Sequence, residues 1–471
     1  MDCCTSTKPF DLAIIGGGSA AFAAAIRAAD LGARPVIIER GTLGGTCVNV
    51  GCVPSKALLR AAEAFHRAGH HPFRGIHATV SPPDLASVVA QKDELVEELR
   101  REKYQNVLEA YPQITLLKGE AAFERNALHV NGAPVSAAKL ILATGARPWF
   151  PPISGLDSVT ALTSTEALAL RELPASMIVL GGGAVGVELA QLFARLGTKV
   201  TIVEALPHIV PAEDPEVGDA LASYLRAEGI DVRVVTRVVG VAPDAEGVRV
   251  DVQVADPTES LTARHLLVAT GRRPNTGGLG LERTDIALGR RGEILVNEHL
   301  ETTHPGIYAA GDVIGDPMFV YVAAYAGSLA AENALAGNTR KYDVSVVPRV
   351  TFTDPAVASV GLDEHEARAR GMRVLVSKLP LSHVPRSIAA RDTRGFIKLV
   401  ADEATNLLVG AHVLAPEAGE IIQQAVMAIR FGIRVDEIAA TMHPYLTLAE
   451  GFKLAAQTFK KDVAKLSCCA A

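Results

Sequence analysis

The sequence predicts an α/β fold: two Rossmann-like nucleotide-binding domains plus a C-terminal α+β domain. Three observations predict it. A short apolar strand runs into a glycine-rich turn and an alanine-rich helix early in the chain, and the same plan returns near residue 177. The strand and turn Leu140-Ile141-Leu142-Ala143-Thr144-Gly145 recur as Leu266-Leu267-Val268-Ala269-Thr270-Gly271. From about Val346 the texture changes to strand-like stretches followed by helices.

Composition sets the outer bounds. A chain of 471 residues is too long for one core, so two to four domains are expected. Hydrophobic residues make up 49% and charged residues 21%, as in a well-packed enzyme. A net charge of -6 gives no reason to expect nucleic acid as a partner. No apolar run reaches the length of a membrane span, and the N-terminus lacks a signal-peptide pattern. A cytoplasmic location is therefore expected. Six cysteines in such a chain point to catalysis or metal binding and not to a disulfide scaffold.

The elements follow in order. Residues 10–15 form a strand, a helix runs to about Asp30, and 35–39 form a second strand, which makes a βαβ unit. A polar helical excursion covers about 83–111. Residues 114–117 and 128–130 read as strands of a small ribbon, 140–145 return to the sheet, and 148–152 read as a linker. The second βαβ unit runs from 177 to 204. Residues 307–312 lead back to the first domain through a helix over 319–336. The expected domains are 1–150, the first nucleotide-binding part; 151–275, the second nucleotide domain; 276–345, the return; 346–462, the C-terminal domain; and 463–471, a tail.

A glycine-rich turn between strand and helix lets a pyrophosphate reach the backbone N–H groups of the helix start. Gly16, Gly18 and Ala21 supply that turn, and Glu39 is placed to accept hydrogen bonds from a ribose. Gly181, Gly183 and Gly186 repeat it, with Glu204 as the acid. A carboxylate there suits a free 2′-hydroxyl and repels a 2′-phosphate, so Glu204 argues for appreciable use of NADH over NADPH.

The motif Gly44-Gly45-Thr46-Cys47-Val48-Asn49-Val50-Gly51-Cys52 places two thiols across slightly more than one expected helical turn. Its glycines, threonine and asparagine are poor core filler, which speaks for reactive thiols and against buried ones. A flavin is expected beside the pair; Lys56 can place a cation beside that flavin, and Glu188 has the right character to meet that lysine. The chain ends in a second pair, Cys468-Cys469.

These motifs together resemble the pyridine nucleotide–disulfide oxidoreductases, whose plan is that of glutathione reductase. The resemblance runs from about Asp11 to Lys460. It implies FAD in the first domain, with Asp312 near its ribityl-phosphate region. It implies NADPH or NADH in the second domain and a homodimer built through the third. Gly45, Thr46, Lys56, Thr144, Gly145 and Gly271 are further expected cofactor positions.

Within that family the chain is similar to the mercury(II)-reducing branch. Cys468 and Cys469 match its C-terminal thiols, which reach the partner subunit's active site. Tyr104 and Tyr445 match its two active-site tyrosines. This implies Hg(II), arriving as a thiol complex, as substrate. It would pass from Cys468 and Cys469 to Cys47 and Cys52, since a soft metal prefers thiolates. Three features depart from familiar members: no separate N-terminal metal-binding domain with a spaced cysteine pair is expected, Glu204 stands where NADPH use is common, and His443-Pro444 and Glu450 resemble only loosely the proton-handling pair of disulfide reductases. A dihydrolipoamide dehydrogenase-like or other disulfide reductase, and a metal buffer without turnover, are the alternatives.

Overall fold

The computed structural model describes residues 9–124, 127–254 and 258–463. They fall into two compact units. The first holds residues up to 57, 89–149 and 271–344; the second holds 58–88, 150–270 and 345 onward.

The first unit is built on a five-stranded parallel sheet. Its order is Ile307–Ala309, Ala137–Leu142, β1 (Phe10–Ile15), β2 (Pro35–Glu39), β3 (Thr115–Lys118). Its strands are covered on both faces, which is why β1 and β2 read as continuous apolar runs. Leu12 and Ile14 enter one core, while Ala13 and Ile15 enter the other. On one face, α1 (Ser19–Asp30) packs against the helix Val320–Ala336. Buried alanines at 20, 21, 24, 25 and 28 keep that contact thin. A Cβ at Gly327 would lie 2.0 Å from the Ala20 carbonyl oxygen, so the two helices meet backbone to backbone.

Two expectations are corrected in this unit. The stretch at 114–117 does not join the small ribbon. Thr115–Lys118 instead pairs parallel with β2 as the sheet edge. Leu116 and Leu117 explain this, because they face opposite cores and need cover on both sides. The ribbon is Ala121–Glu124 with Ala127–Val130 and Ala133–Pro134. Nor is 148–152 wholly a linker, since Ala146–Pro148 pairs antiparallel with Arg272–Pro274.

The second unit carries a four-stranded parallel sheet in the order Asp231–Arg233, Lys199–Val203, Ser176–Leu180, His265–Val268. A three-stranded antiparallel sheet, Arg237–Asp244, Gly247–Gln253 and Glu259–Ala263, lies against it. There Val248, Val250 and Val252 alternate inward and share a core with Ile178 and Leu180. The C-terminal part is a five-stranded antiparallel sheet, Arg349–Thr351, Ala356–Gly361, Leu408–Ala415, Phe396–Asp402, Val374–Pro380. The helices Ala418–Arg430 and Leu448–Gln457 close its core.

Charge ties the nucleotide-binding and C-terminal parts of this unit. Arg195 lies 2.7 Å from Glu228 and 3.0 Å from Asp354, and Arg394 lies 3.0 Å from Asp354. Lys398 is 2% exposed. Its Nζ lies 2.8 Å from Asp214, 2.6 Å from Glu216 and 2.9 Å from Glu364. Burial alone would lower the Lys398 pKa, but the carboxylates outweigh it and the ammonium is held. No helix among the described residues is long and apolar enough to cross a membrane.

Candidate active site

The thiol pair sits where two short-range constraints meet. The helix α2 (Gly45–Val50) carries Cys47, and α3 (Cys52–Gly69) begins at Cys52. The expected single turn is therefore two helical segments broken at Gly51. A Cβ at Gly51 would lie 2.9 Å from the Thr46 carbonyl oxygen. Gly45 has φ +61°, and a Cβ there would lie 2.7 Å from the Gly18 Cα. The thiol loop and the glycine-rich turn after β1 thus touch at two residues without side chains.

Asn49, between the cysteines, pins this loop. Its Nδ2 donates to the Leu43 carbonyl at 2.8 Å and the Gly45 carbonyl at 2.9 Å. Its Oδ1 accepts from Arg100 Nε at 2.8 Å. Arg100 ends α4 (Leu85–Arg100), and the chain then makes a π-helical turn over Arg101–Gln105 that holds Tyr104.

Cys47 and Cys52 are not joined by a disulfide. Cys52 is exposed and Cys47 half-buried. Their side chains hydrogen-bond, and this contact, with burial and the negative charge of Cys52, pushes the Cys47 thiol far up. Lys56 partly opposes that shift. The Cys47 thiol therefore holds its proton more firmly than a free thiol does. A helix N-terminus such as that of α3 favours negative charge.

Tyr104 reaches the same place. Its ring packs edge-on against Phe22 with centroids 4.7 Å apart. Burial first, and then the charges of Cys47 and Cys52, push its phenol up, while a hydrogen bond with Ser19 opposes this. Tyr104 therefore stays a proton donor beside the sulfurs. Tyr104→Phe is expected to slow turnover through the thiol pair about tenfold, the value of one hydrogen bond to a charged group. Steady-state kinetics at saturating nucleotide would show it.

A second charge pair stands close by. Burial pushes the Asp312 carboxyl up, and Arg272 works against it. Burial lowers the Arg272 guanidinium, while Asp312 and Cys52 both raise it. Arg272 also donates to the Ala146 carbonyl. Arg272 belongs to none of the sequence motifs; its only signal is its place directly after Gly271.

The cofactor positions form two cradles. In the first unit, Gly16, Glu39, Thr144 and Asn275 line one cleft. A Cβ at Gly16 would lie 2.3 Å from the Ala143 carbonyl oxygen, so only glycine leaves that turn open. Glu39 Oε1 accepts from the Gly41 amide at 2.5 Å. Thr144 is fixed by Asn275, whose carbonyl accepts its hydroxyl at 2.7 Å. Bare glycine backbone with a carboxylate at the end of β2 fits the diphosphate and ribose of FAD.

In the second unit, Gly181 and Gly186 touch so closely that a Cβ on Gly186 would lie 2.0 Å from the Gly181 carbonyl oxygen. Glu204 is buried. Its two oxygens accept from Gly182 N at 2.7 Å and Leu206 N at 2.8 Å. A carboxylate so held still has lone pairs for a ribose hydroxyl.

Glu188, His443, Tyr445 and Glu450 belong to the second unit. Glu188 accepts from the Phe352 amide at 2.8 Å. Tyr445 is 51% exposed. His443 contacts Gln424 Oε1 at 2.8 Å and the Thr441 carbonyl at 3.0 Å, while Glu450 accepts from the Leu446 amide at 3.3 Å. Cys468 and Cys469 lie outside the described residues.

Comparison with known proteins adds a second line of observation. The sequence profile described as pyridine nucleotide-disulphide oxidoreductase matches residues 10–327, and its dimerisation-domain profile matches 347–456. A mercuric reductase of Streptomyces lividans is 50% identical over 468 residues, spanning 98% of either chain. One from Bacillus cereus is 47% identical over 462 residues, 98% of this chain and 73% of that one. Among solved structures, the flavoprotein disulfide reductase RclA of Escherichia coli matches with TM-score 0.84 and 32% identity, over 94% of this chain and 98% of that one. LpdA of Mycobacterium tuberculosis matches with TM-score 0.85 and 28% identity, over 95% and 98%.

Proposed function

Because the chain belongs to the pyridine nucleotide-disulphide oxidoreductase family, we propose that it is an NAD(P)H-dependent flavoenzyme reducing Hg(II) to Hg(0). The observation that carries this reading is the Cys47–Cys52 thiol pair with the Tyr104 phenol beside it. The names of the relatives supply the metal.

Hg(II) is soft and exchanges between thiolates. Cys468 and Cys469 of one subunit take it from a small-thiol complex. Cys47 and Cys52 of the other subunit then take it over. The proton on Cys47 leaves as that sulfur binds. Tyr104, and Tyr445 of the partner, donate hydrogen bonds to the sulfurs during exchange. FAD, when bound across Gly16, Gly18, Glu39 and Asp312, supplies the two-electron path from nicotinamide to metal. The balance is one Hg(II) bis-thiolate, one NAD(P)H and one proton, giving Hg(0), NAD(P)+ and two thiols. A reducing cytoplasm keeps both cysteine pairs ready.

The homodimer is supported by apolar side chains left in the open. Phe431 is 68% and Met442 94% exposed, with Met427, Tyr445 and Leu446 nearby in sequence. A monomer rarely exposes such a group, and a dimer interface would cover it.

A disulfide reductase of the dihydrolipoamide dehydrogenase kind is the second reading, favoured by the buried Glu204 carboxylate. Against it, His443 contacts Gln424 and Glu450 accepts from Leu446. Nucleotide oxidation with Hg(II) in excess thiol, run beside lipoamide, decides between them. The proposal expects turnover with Hg(II) and little with lipoamide; the reverse would replace it.

The same assay reads Glu204. NADH should outperform NADPH, and Glu204→Ala should narrow the ratio about tenfold, or about 1.4 kcal/mol of relieved repulsion. An unchanged ratio would remove Glu204 from nucleotide choice.

A further inference from the structure

A second cavity lies within the second unit and belongs to neither cofactor cradle. It measures about 630 Å³, within the range of small-molecule sites. The end of α3 supplies His66, Arg67 and His70 to its wall, and the segment at 386–391 supplies Arg386, Ser387 and Arg391. Pro72, Phe73 and Leu448 give it an apolar side.

The charges around it do not cancel. Three carboxylates border the cavity: Glu228, Asp354 and Asp392. Each is already engaged. Glu228 is held by Arg195 at 2.7 Å and 2.9 Å. Asp354 is held by Arg195 and Arg394, both at 3.0 Å. Asp392 takes two bonds from Arg394 at 2.8 Å. Among the described residues, neither Arg386 nor Arg391 has an ion pair.

A second observation points into the same space. Ser387 is 1% exposed, yet its Oγ has no hydrogen-bond partner. The Nδ1 of His71, which also lines the cavity, is likewise buried and unpartnered. An unsatisfied buried hydroxyl is destabilising, and an oxygen-bearing ligand would satisfy it. Arg391 adds to this. It holds φ +56° at the end of the short helix Pro385–Ala390, a place that favours glycine.

The histidines are poor evidence for a metal. His66 and His70 stack with centroids 4.4 Å apart. Among the described residues, no group of three or more His, Cys, Asp or Glu side chains could hold one. Burial, and then the charge of Arg195, lower the His66 pKa, so its ring is neutral at pH 7 and offers a flat face.

We propose that this cavity binds a small organic oxyanion. Its phosphate or carboxylate would be clamped by Arg386 and Arg391 and would accept from Ser387 Oγ, with a planar or apolar group lying toward Phe73 and the histidine stack. Guanidinium forks recognise either oxyanion in two-point fashion.

Calorimetric titration of the FAD-loaded, full-length enzyme tests this, with phenyl phosphate as the phosphate probe and phthalate as the carboxylate probe. Saturable binding of at least one is expected, and the tighter probe identifies the chemistry. The Arg386→Ala/Arg391→Ala double variant should weaken it tenfold or more, with FAD content and melting temperature unchanged. Ser387→Ala, which alters no charge, should weaken it several-fold and carries the test if the double variant folds poorly. Failure of both probes to bind saturably would overturn the proposal, as would binding indifferent to the arginine and serine variants.

Discussion

Cys52→Ala is expected to lower Hg(II)-dependent nucleotide oxidation by about a thousandfold or more, the scale seen when one member of a catalytic unit is removed. Cys47→Ala should cost about as much. The reason lies in the need for two sulfurs. On the proposed route both cysteines hold the metal, and the raised Cys47 thiol gives up its proton as that sulfur binds. With either sulfur gone, the metal has one thiolate where it needs two. The flavin should stay, because Gly16, Glu39 and Thr144 are untouched. Flavin content by absorbance and nucleotide-driven reduction of a dye therefore serve as controls. Substantial Hg(II) turnover in either variant would mean that the pair is not where the metal is reduced.

The second large effect concerns the fold. Lys398→Met is expected to destabilise the protein by about 3–5 kcal/mol, because removing one partner leaves buried charge uncompensated. Asp214, Glu216 and Glu364 would then lose the cation they share, leaving Lys378 on Glu216 and Arg368 on Glu364. The loss should depend on pH in a definite direction. The hydrogen bond from Lys398 holds the Glu364 carboxyl below its ordinary 4.5. Burial would raise Glu216, but Lys378 and Lys398 pull it below 4.5 as well. A depressed carboxyl contributes stability above its unfolded pKa and loses it as pH falls through the folded value. The gap between wild type and variant should therefore be full at pH 7 and shrink below about pH 4.5. Urea unfolding at both pH values measures it. A constant gap would mean that Lys398 acts by packing alone.

The parts of the molecule legible in the sequence are those written in local pattern. β1, β2 and the turns at Gly16 and Gly181 follow from apolar runs that break at glycine. The thiol pair is visible because Gly44, Gly45 and Gly51 are spaced around it. What was not legible depends on partners far along the chain. Thr115–Lys118 looks like a ribbon strand until β2 is seen beside it. The valines at 248, 250 and 252 alternate as a strand does, but no glycine motif marks the sheet they belong to. The break at Gly51 and the π-turn at Tyr104 are departures of single residues within helical pattern. Lys398 and Arg272 look like ordinary surface cations, and only the fold reveals the carboxylates that meet them. The cavity at Arg386 gathers residues from the end of α3, the 386–394 segment and Leu448, a grouping that no spacing announces.

The most direct test of the central claim is the yield of metal. Purified enzyme would be given Hg(II) in excess small thiol with limiting NADH, and the vapour trapped and counted against nucleotide consumed. A Cys468→Ala/Cys469→Ala double variant would be run alongside. One Hg(0) is expected for each NADH, with slower release in the double variant. Nucleotide consumed without Hg(0), or Hg(II) bound with no nucleotide consumed, would contradict it.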